Sequence, residues 1–135
     1  MRQGVVDGSD AAAGQIGEYL TASGSISLPS ATYADAAVLT LTAGDWDVWG
    51  VASFVADAGA VIYNITASIS GVSASPSGVI TFLPYTAPAG SVAQIPTGMG
   101  RFNAAAAASV YLVVVSTFTG SGMTVNGTIS ARRAR

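Results

Sequence analysis

The sequence predicts an all-β chain, an antiparallel β-sandwich of jelly-roll type, and three observations carry that expectation. Apolar and polar residues alternate with a period of two along several stretches, the signature of strands that bury one face. Glycine and proline punctuate these stretches at short intervals, where turns are needed. Half of the 135 residues are hydrophobic and only 9% are charged, far from the composition of a disordered chain and sized for one domain with a real core.

Residues 1–15 read as a flexible lead-in, with Gly4, Gly8, Ser9 and Asp10 followed by Ala11–Ala13 and Gly14, and residues 16–135 as the sandwich. Strands are expected at about 16–22, 36–42, 46–56, 60–70, 78–83, 91–95, 109–118 and 123–132. In the fourth, Val61, Tyr63, Ile65, Ala67 and Ile69 alternate with polar residues, and only Ile62 breaks the pattern. The last alternates from Met123 to Ala131 in the same way. A turn at Ala43-Gly44-Asp45 separates the second strand from the third. The five prolines fall between the runs, where a missing amide hydrogen costs least. Ala104–Ala108 is too short to nucleate a helix and reads as a tight turn or a short packed stretch.

The chain has no histidine, cysteine or lysine. Serine and threonine therefore lack the usual base to activate them, and no catalytic residue, metal ligand or cofactor is expected. Asp45 and Asp47 would share a strand face about 7 Å apart, close enough to consider acid–base chemistry or a hard cation. Without a second acidic cluster nearby they read instead as a turn residue and a solvated one. Four of the five arginines lie at the chain ends, and between Gln3 and Ala131 a single arginine, Arg101, stands among all seven acids. Such a body is a poor nucleic-acid binder. The longest unbroken apolar stretches are far shorter than the roughly 20 residues of a membrane helix, and the N-terminus lacks the apolar segment of a signal peptide. Neither membrane insertion nor classical export is expected.

Three groups of residues draw functional expectations. Val110–Val115 is apolar on both faces: with Val110, Leu112 and Val114 in the core, Tyr111, Val113 and Val115 need a second partner. A neighbouring copy of the chain is the economical one, since so few charges make an unusual surface for a monomer. Trp46 and Trp49 lie on opposite strand faces, so one is core and the other, Trp49, a recognition candidate beside the loop aromatics Tyr33 and Tyr85. Finally, continuing the alternation of the last strand turns Arg133 and Arg135 inward and Arg132 outward. Buried guanidinium groups need acceptors, and Glu18, Asp45 and Asp47 are the candidates.

Two stretches resemble the C-terminal head domains of bacteriophage and prophage tail-fibre-like proteins. One is Gly14-Gln15-Ile16-Gly17-Glu18-Tyr19 followed by Leu39-Thr40-Leu41-Thr42-Ala43-Gly44-Asp45-Trp46-Asp47-Val48. The other is Val110-Tyr111-Leu112-Val113-Val114, then Phe118-Thr119 and the ending Gly127-Thr128-Ile129-Ser130-Ala131-Arg132-Arg133-Ala134-Arg135. The resemblance implies a homotrimeric β-sandwich at the tip of a virion fibre that contacts a host-surface receptor, glycan or protein. Family members usually end a longer polypeptide, whereas this chain starts at Met1 with a short lead-in. A capsid or tail decoration (cement) protein is therefore a second expectation, with other virion proteins as partners. A carbohydrate-active enzyme is a third, disfavoured by the residue inventory.

Overall fold

A computed structural model describes residues 11–135, and the lead-in expected over 1–15 falls largely outside them. The chain forms nine strands: β1 (Tyr19–Ser27), β2 (Ala34–Leu41), β3 (Gly44–Ala56), β4 (Val61–Ser70), β5 (Val79–Ala87), β6 (Val92–Pro96), β7 (Gly100–Ala104), β8 (Ala108–Thr119) and β9 (Met123–Arg133). All strand pairs are antiparallel. One sheet runs β1-β9-β3, with β6 and β7 sharing the far edge of β3; the other runs β2-β8-β4-β5. The pairing is nested, β4 with β5, β3 with β6 and β7, β2 with β8, and β1 with β9. That order is compatible with a jelly roll.

The two sheets pack face to face as a sandwich, and the alternation explains the core. From β3 come Trp46, Val48, Ala52 and Phe54; from β9, Val125, Ile129 and Ala131; from β4, Ile62, Ile65, Ala67 and Ile69; from β8, Val110, Leu112 and Val114. A bulge between Ile62 and Asn64 accounts for the one break in the β4 pattern. The extra residue, Tyr63, is extruded to the surface, and Ile62 turns inward with Ile65. A second bulge, at Ala36 in β2, drops the β2 backbone onto the opposite sheet, against Gly24 and Gly127. These two glycines face each other in the β1–β9 register. A Cβ at Gly127 would stand 2.8 Å from that of Ala36 and 2.9 Å from a Leu112 methyl, so glycine is required for the sheets to approach this closely.

Several expectations are corrected. The first strand begins at Tyr19, because residues 12–18 are spent on turns in which Gln15 N–H donates to Ala12 O and Glu18 N–H to Gln15 O. Gly44 and Asp45 belong to β3, so the turn contracts to residues 42 and 43, closed by the Trp46 indole N–H donating to Thr42 O at 2.9 Å. β7 was not expected at all. Pro84 lies inside β5 and Pro96 ends β6; both strands are at sheet edges, where the missing donor faces away from the ladder. Residues 105–107 form the bend expected of the alanine run.

Candidate functional site

The outer face of β2-β8-β4-β5 is nearly free of charge. Its register rows are Val38–Tyr111–Ser70, Asp35–Val113–Ser68–Ile80 and Val115–Thr66–Phe82, and Asp35 is the one residue among them that is charged at neutral pH. Phe82 is 59% exposed, Ile80 51% and Val38 46%, with Tyr111 and Val115 half-buried. Of the three residues expected to need a partner, Val113 does not: it is only 1% exposed within a single chain. The loop 71–77 closes over this end of the face. Asp35 accepts hydrogen bonds from Ala74 N–H at 2.8 Å and from the Ser73 hydroxyl, and Ser70 Oγ accepts from Val72 N–H and donates to Ser75 O. Val38, Ile80 and Phe82 join this face only in the structure, although β5 carries the same two-sided apolar signal as β8: Val79 and Leu83 alternate with Ile80 and Phe82.

The outer face of the other sheet is a different surface. Thr21, Ser23, Ser25 and Ser27 of β1 lie beside Ser130, Thr128, Asn126 and Thr124 of β9, a carpet of small uncharged polar groups. Two aromatic rings interrupt it. Trp46 points into the core and is fully buried, so Trp49, three residues on, points out and is half-buried. Its ring lies 6.2 Å from that of Tyr19, tilted by 41°, and Tyr19 is 47% exposed. The Tyr19 hydroxyl donates to Ser130 Oγ at 3.0 Å. Tyr33 is exposed in the β1–β2 connection. Tyr85, expected in a loop, lies in β5, and its side chain is outside the described residues.

The charged residues gather where β1 and β3 begin and β9 ends. Arg133 is buried, with its guanidinium 4.4 Å from the centre of the Trp46 ring. Its Nε donates to Glu18 Oε2 at 2.9 Å, Nη1 to Ala43 O at 2.7 Å and Nη2 to Thr42 Oγ1 at 2.6 Å. Glu18 Oε2 also accepts Gly14 N–H at 2.7 Å. Gly44, at φ 147°, leaves the space that the guanidinium occupies, for a Cβ there would collide with Nη1. On the outer side of β3, Arg101 grips Asp45 through Nε, at 2.8 Å, and through Nη2. The hydrogen bonds from Arg101 hold the Asp45 carboxyl below the usual carboxylate range, partly opposed by burial, with the charges of Arg101 and Arg135 assisting.

Arg135 departs from the expected inward orientation. β9 stops at Arg133, so the alternation ends there, and Arg135 is 74% exposed with Nε 3.3 Å from Asp45. Asp47 faces Arg132 on one side and Arg101 on the other in register. Among the described residues neither Asp47 nor Arg132 makes an ion pair. Arg101, which turned out to hold Asp45, was visible as the one internal arginine but lay in a strand the pattern did not reveal. At the opposite end of the sandwich a cleft of about 490 Å³ opens between Leu28, Phe118, Met123 and Asp57, with Asp57 its one ionisable group.

No protein-family model matches the chain, and no curated protein does. Among solved structures it is similar to "Structure of infectious bursal disease virus Gx strain", with a TM-score of 0.48 and 11% identity, over 99% of this chain and 36% of that one. A likeness of that degree says nothing about this chain's role.

Proposed function

We propose that this chain is a virion structural protein, the head domain of a bacteriophage tail fibre, which assembles as a homotrimer and attaches the particle to a host-cell surface. The observation that carries the reading is the outer face of β2-β8-β4-β5. Val38, Ile80 and Phe82 stand exposed beside the half-buried Tyr111 and Val115, on a chain with very few charges to keep such a face solvated. Large apolar side chains left exposed together on one sheet face mark an interaction site. Three copies packed through it around a threefold axis form a closed assembly. The resemblance of Gly14–Tyr19 with Leu39–Val48, and of Val110–Val114, Phe118-Thr119 and Gly127–Arg135, to tail-fibre head domains supports the place of that assembly at a fibre tip. The β1-β9-β3 sheet then faces outward, with Tyr19 and Trp49 free to meet a receptor. No catalysis and no cofactor enter this reading.

Immunogold labelling of intact particles with antibody to this chain tests it. Label at fibre ends is expected. Label spread over the capsid would replace the tip by a decoration protein, and particles without label would overturn the virion assignment.

A further inference from the structure

We infer that the outer face of β1-β9-β3 holds a binding site for a neutral saccharide, built on the ring pair Tyr19 and Trp49. The inference rests on the adhesion reading above and assigns its receptor to a chemical class. A sugar ring presents an apolar face of C–H groups edged by hydroxyls. It calls for an exposed aromatic surface next to short polar groups that both donate and accept. This patch offers that combination. The Tyr19 and Trp49 rings form a tilted step 6.2 Å apart at their centres, flanked along β1 and β9 by small hydroxyl side chains.

The polar groups around the step are arranged in two rows. Ser130, itself buried, underlies the aromatics, opposite Trp49 on one side and the exposed Thr21 on the other. Its hydroxyl is 3.0 Å from that of Tyr19 and 3.4 Å from that of Thr21. In the adjoining row Arg132 stands between Tyr19 and Asp47. Neither Arg132 nor Asp47 forms an ion pair among the described residues, so a guanidinium donor and a carboxylate acceptor remain open beside the rings. Arg101 continues that row beyond Asp47 but is held by Asp45, so the guanidinium and carboxylate left beside the rings are of opposite sign, which suits a neutral ligand better than an acidic one.

The strand pairing along the edge of β3 breaks beside Trp49. β7 pairs with β3 as far as Val48, and β6 takes up at Val51. Between them, Thr97 turns back onto Gly50, its hydroxyl accepting Gly50 N–H at 2.9 Å and its own N–H donating to Gly50 O at 2.8 Å. No strand residue therefore pairs with Trp49 on that flank.

The test is binding of the full chain to a printed panel of neutral hexose and N-acetylhexosamine oligosaccharides, with acidic glycans alongside. Hits are followed by tryptophan fluorescence, where Trp46, buried against Arg133, serves as the internal reference. At least one neutral glycan should bind. Trp49→Ala should weaken it about tenfold or more, while Trp49→Phe, which keeps an aromatic face, should lose less. Asp47→Asn should lower affinity several-fold without lowering the melting temperature, a readout that separates ligand contact from folding. Binding of no neutral glycan, or equal binding by Trp49→Ala, overturns the site. So does binding confined to acidic glycans that depends on Arg132 and not on Trp49. Adsorption of the labelled chain to a panel of bacterial cells of both envelope types separates this failure from that of the adhesion reading. If Trp49→Ala adsorbs as well as wild type, adhesion stands and the saccharide site falls. If wild type adsorbs to none, the adhesion reading falls.

Discussion

Replacing Arg133 with alanine should destabilise the fold by about 3–5 kcal/mol, the range for removing one partner of a buried ion pair. The magnitude follows from what the guanidinium touches. Its loss leaves the Glu18 carboxylate buried with Gly14 N–H as its remaining donor among the described residues, strips the acceptors Ala43 O and Thr42 Oγ1, and empties the space over the Trp46 ring. Each neutral hydrogen bond is worth about 1 kcal/mol and the cation–π contact about the same; these overlap with the cost of the stranded charge and do not add to it. For a chain of this size, roughly 3–5 °C of melting temperature accompany each kcal/mol, so a fall of roughly 10–20 °C is expected. Urea unfolding followed by Trp46 fluorescence measures the change, at fixed protein concentration because the stability of an assembly depends on it. Arg132→Ala, on the exposed side of the same strand, should stay within about 0.5 kcal/mol. Replacing Arg133 and Glu18 together by Met and Leu should recover part of the loss, since no charge is then left stranded. A loss below about 1 kcal/mol for Arg133→Ala would refute the reasoning and leave the C-terminal arginines dispensable.

Three further outcomes follow from the same contacts. The Asp45 carboxyl is held below its ordinary range in the folded chain, chiefly by hydrogen bonds from Arg101. Its contribution to stability is therefore present above the unfolded value of about 4 and is lost as pH falls through the lower folded value. The stability difference between wild type and Asp45→Asn should be flat above about pH 5 and shrink in acid, and a difference constant to pH 2 would contradict the pairing. Gly127→Val places side-chain atoms where Ala36 and Leu112 already stand and should cost about 1–3 kcal/mol or more by calorimetry, whereas a neutral effect would mean that the sheets can part. On the outer face of β2-β8-β4-β5, Phe82→Asp should dissociate the assembly and leave the fold intact, while Val113→Asp, which buries a charge inside one chain, should unfold it; circular dichroism separates the two.

The alternation made most of the sandwich legible, because strands that bury one face must repeat every second residue. Val61–Ile69 and Met123–Ala131 were readable for that reason, as were the opposite destinations of Trp46 and Trp49. β7 was not: it is five residues long, between glycines and an alanine run, and only Phe102 packs against the core from its centre. The inward turn of Arg133 was within reach of the sequence, with Glu18 one of three candidate acids; the choice among them was not, since it depends on the turns at 12–18 that bring Glu18 beside the end of β9. The outward turn of Arg135 was not, since it depends on where β9 ends. The ring pair lay furthest from view. Tyr19 reaches Trp49 only because β9, the last strand of the chain, pairs with β1 on one side and with β3 on the other, a register that no local pattern encodes. Similarly, Val113 read as an interface residue because the loop 71–77, anchored on Asp35, could not be placed from composition.

The central claim, that the apolar face of β2-β8-β4-β5 is covered by further copies of this chain, is tested most directly by light scattering of the full chain at micromolar concentration. One chain weighs 13.4 kDa, so the account predicts a mass of about 40 kDa for a closed trimer. A mass of 13.4 kDa under those conditions would contradict it.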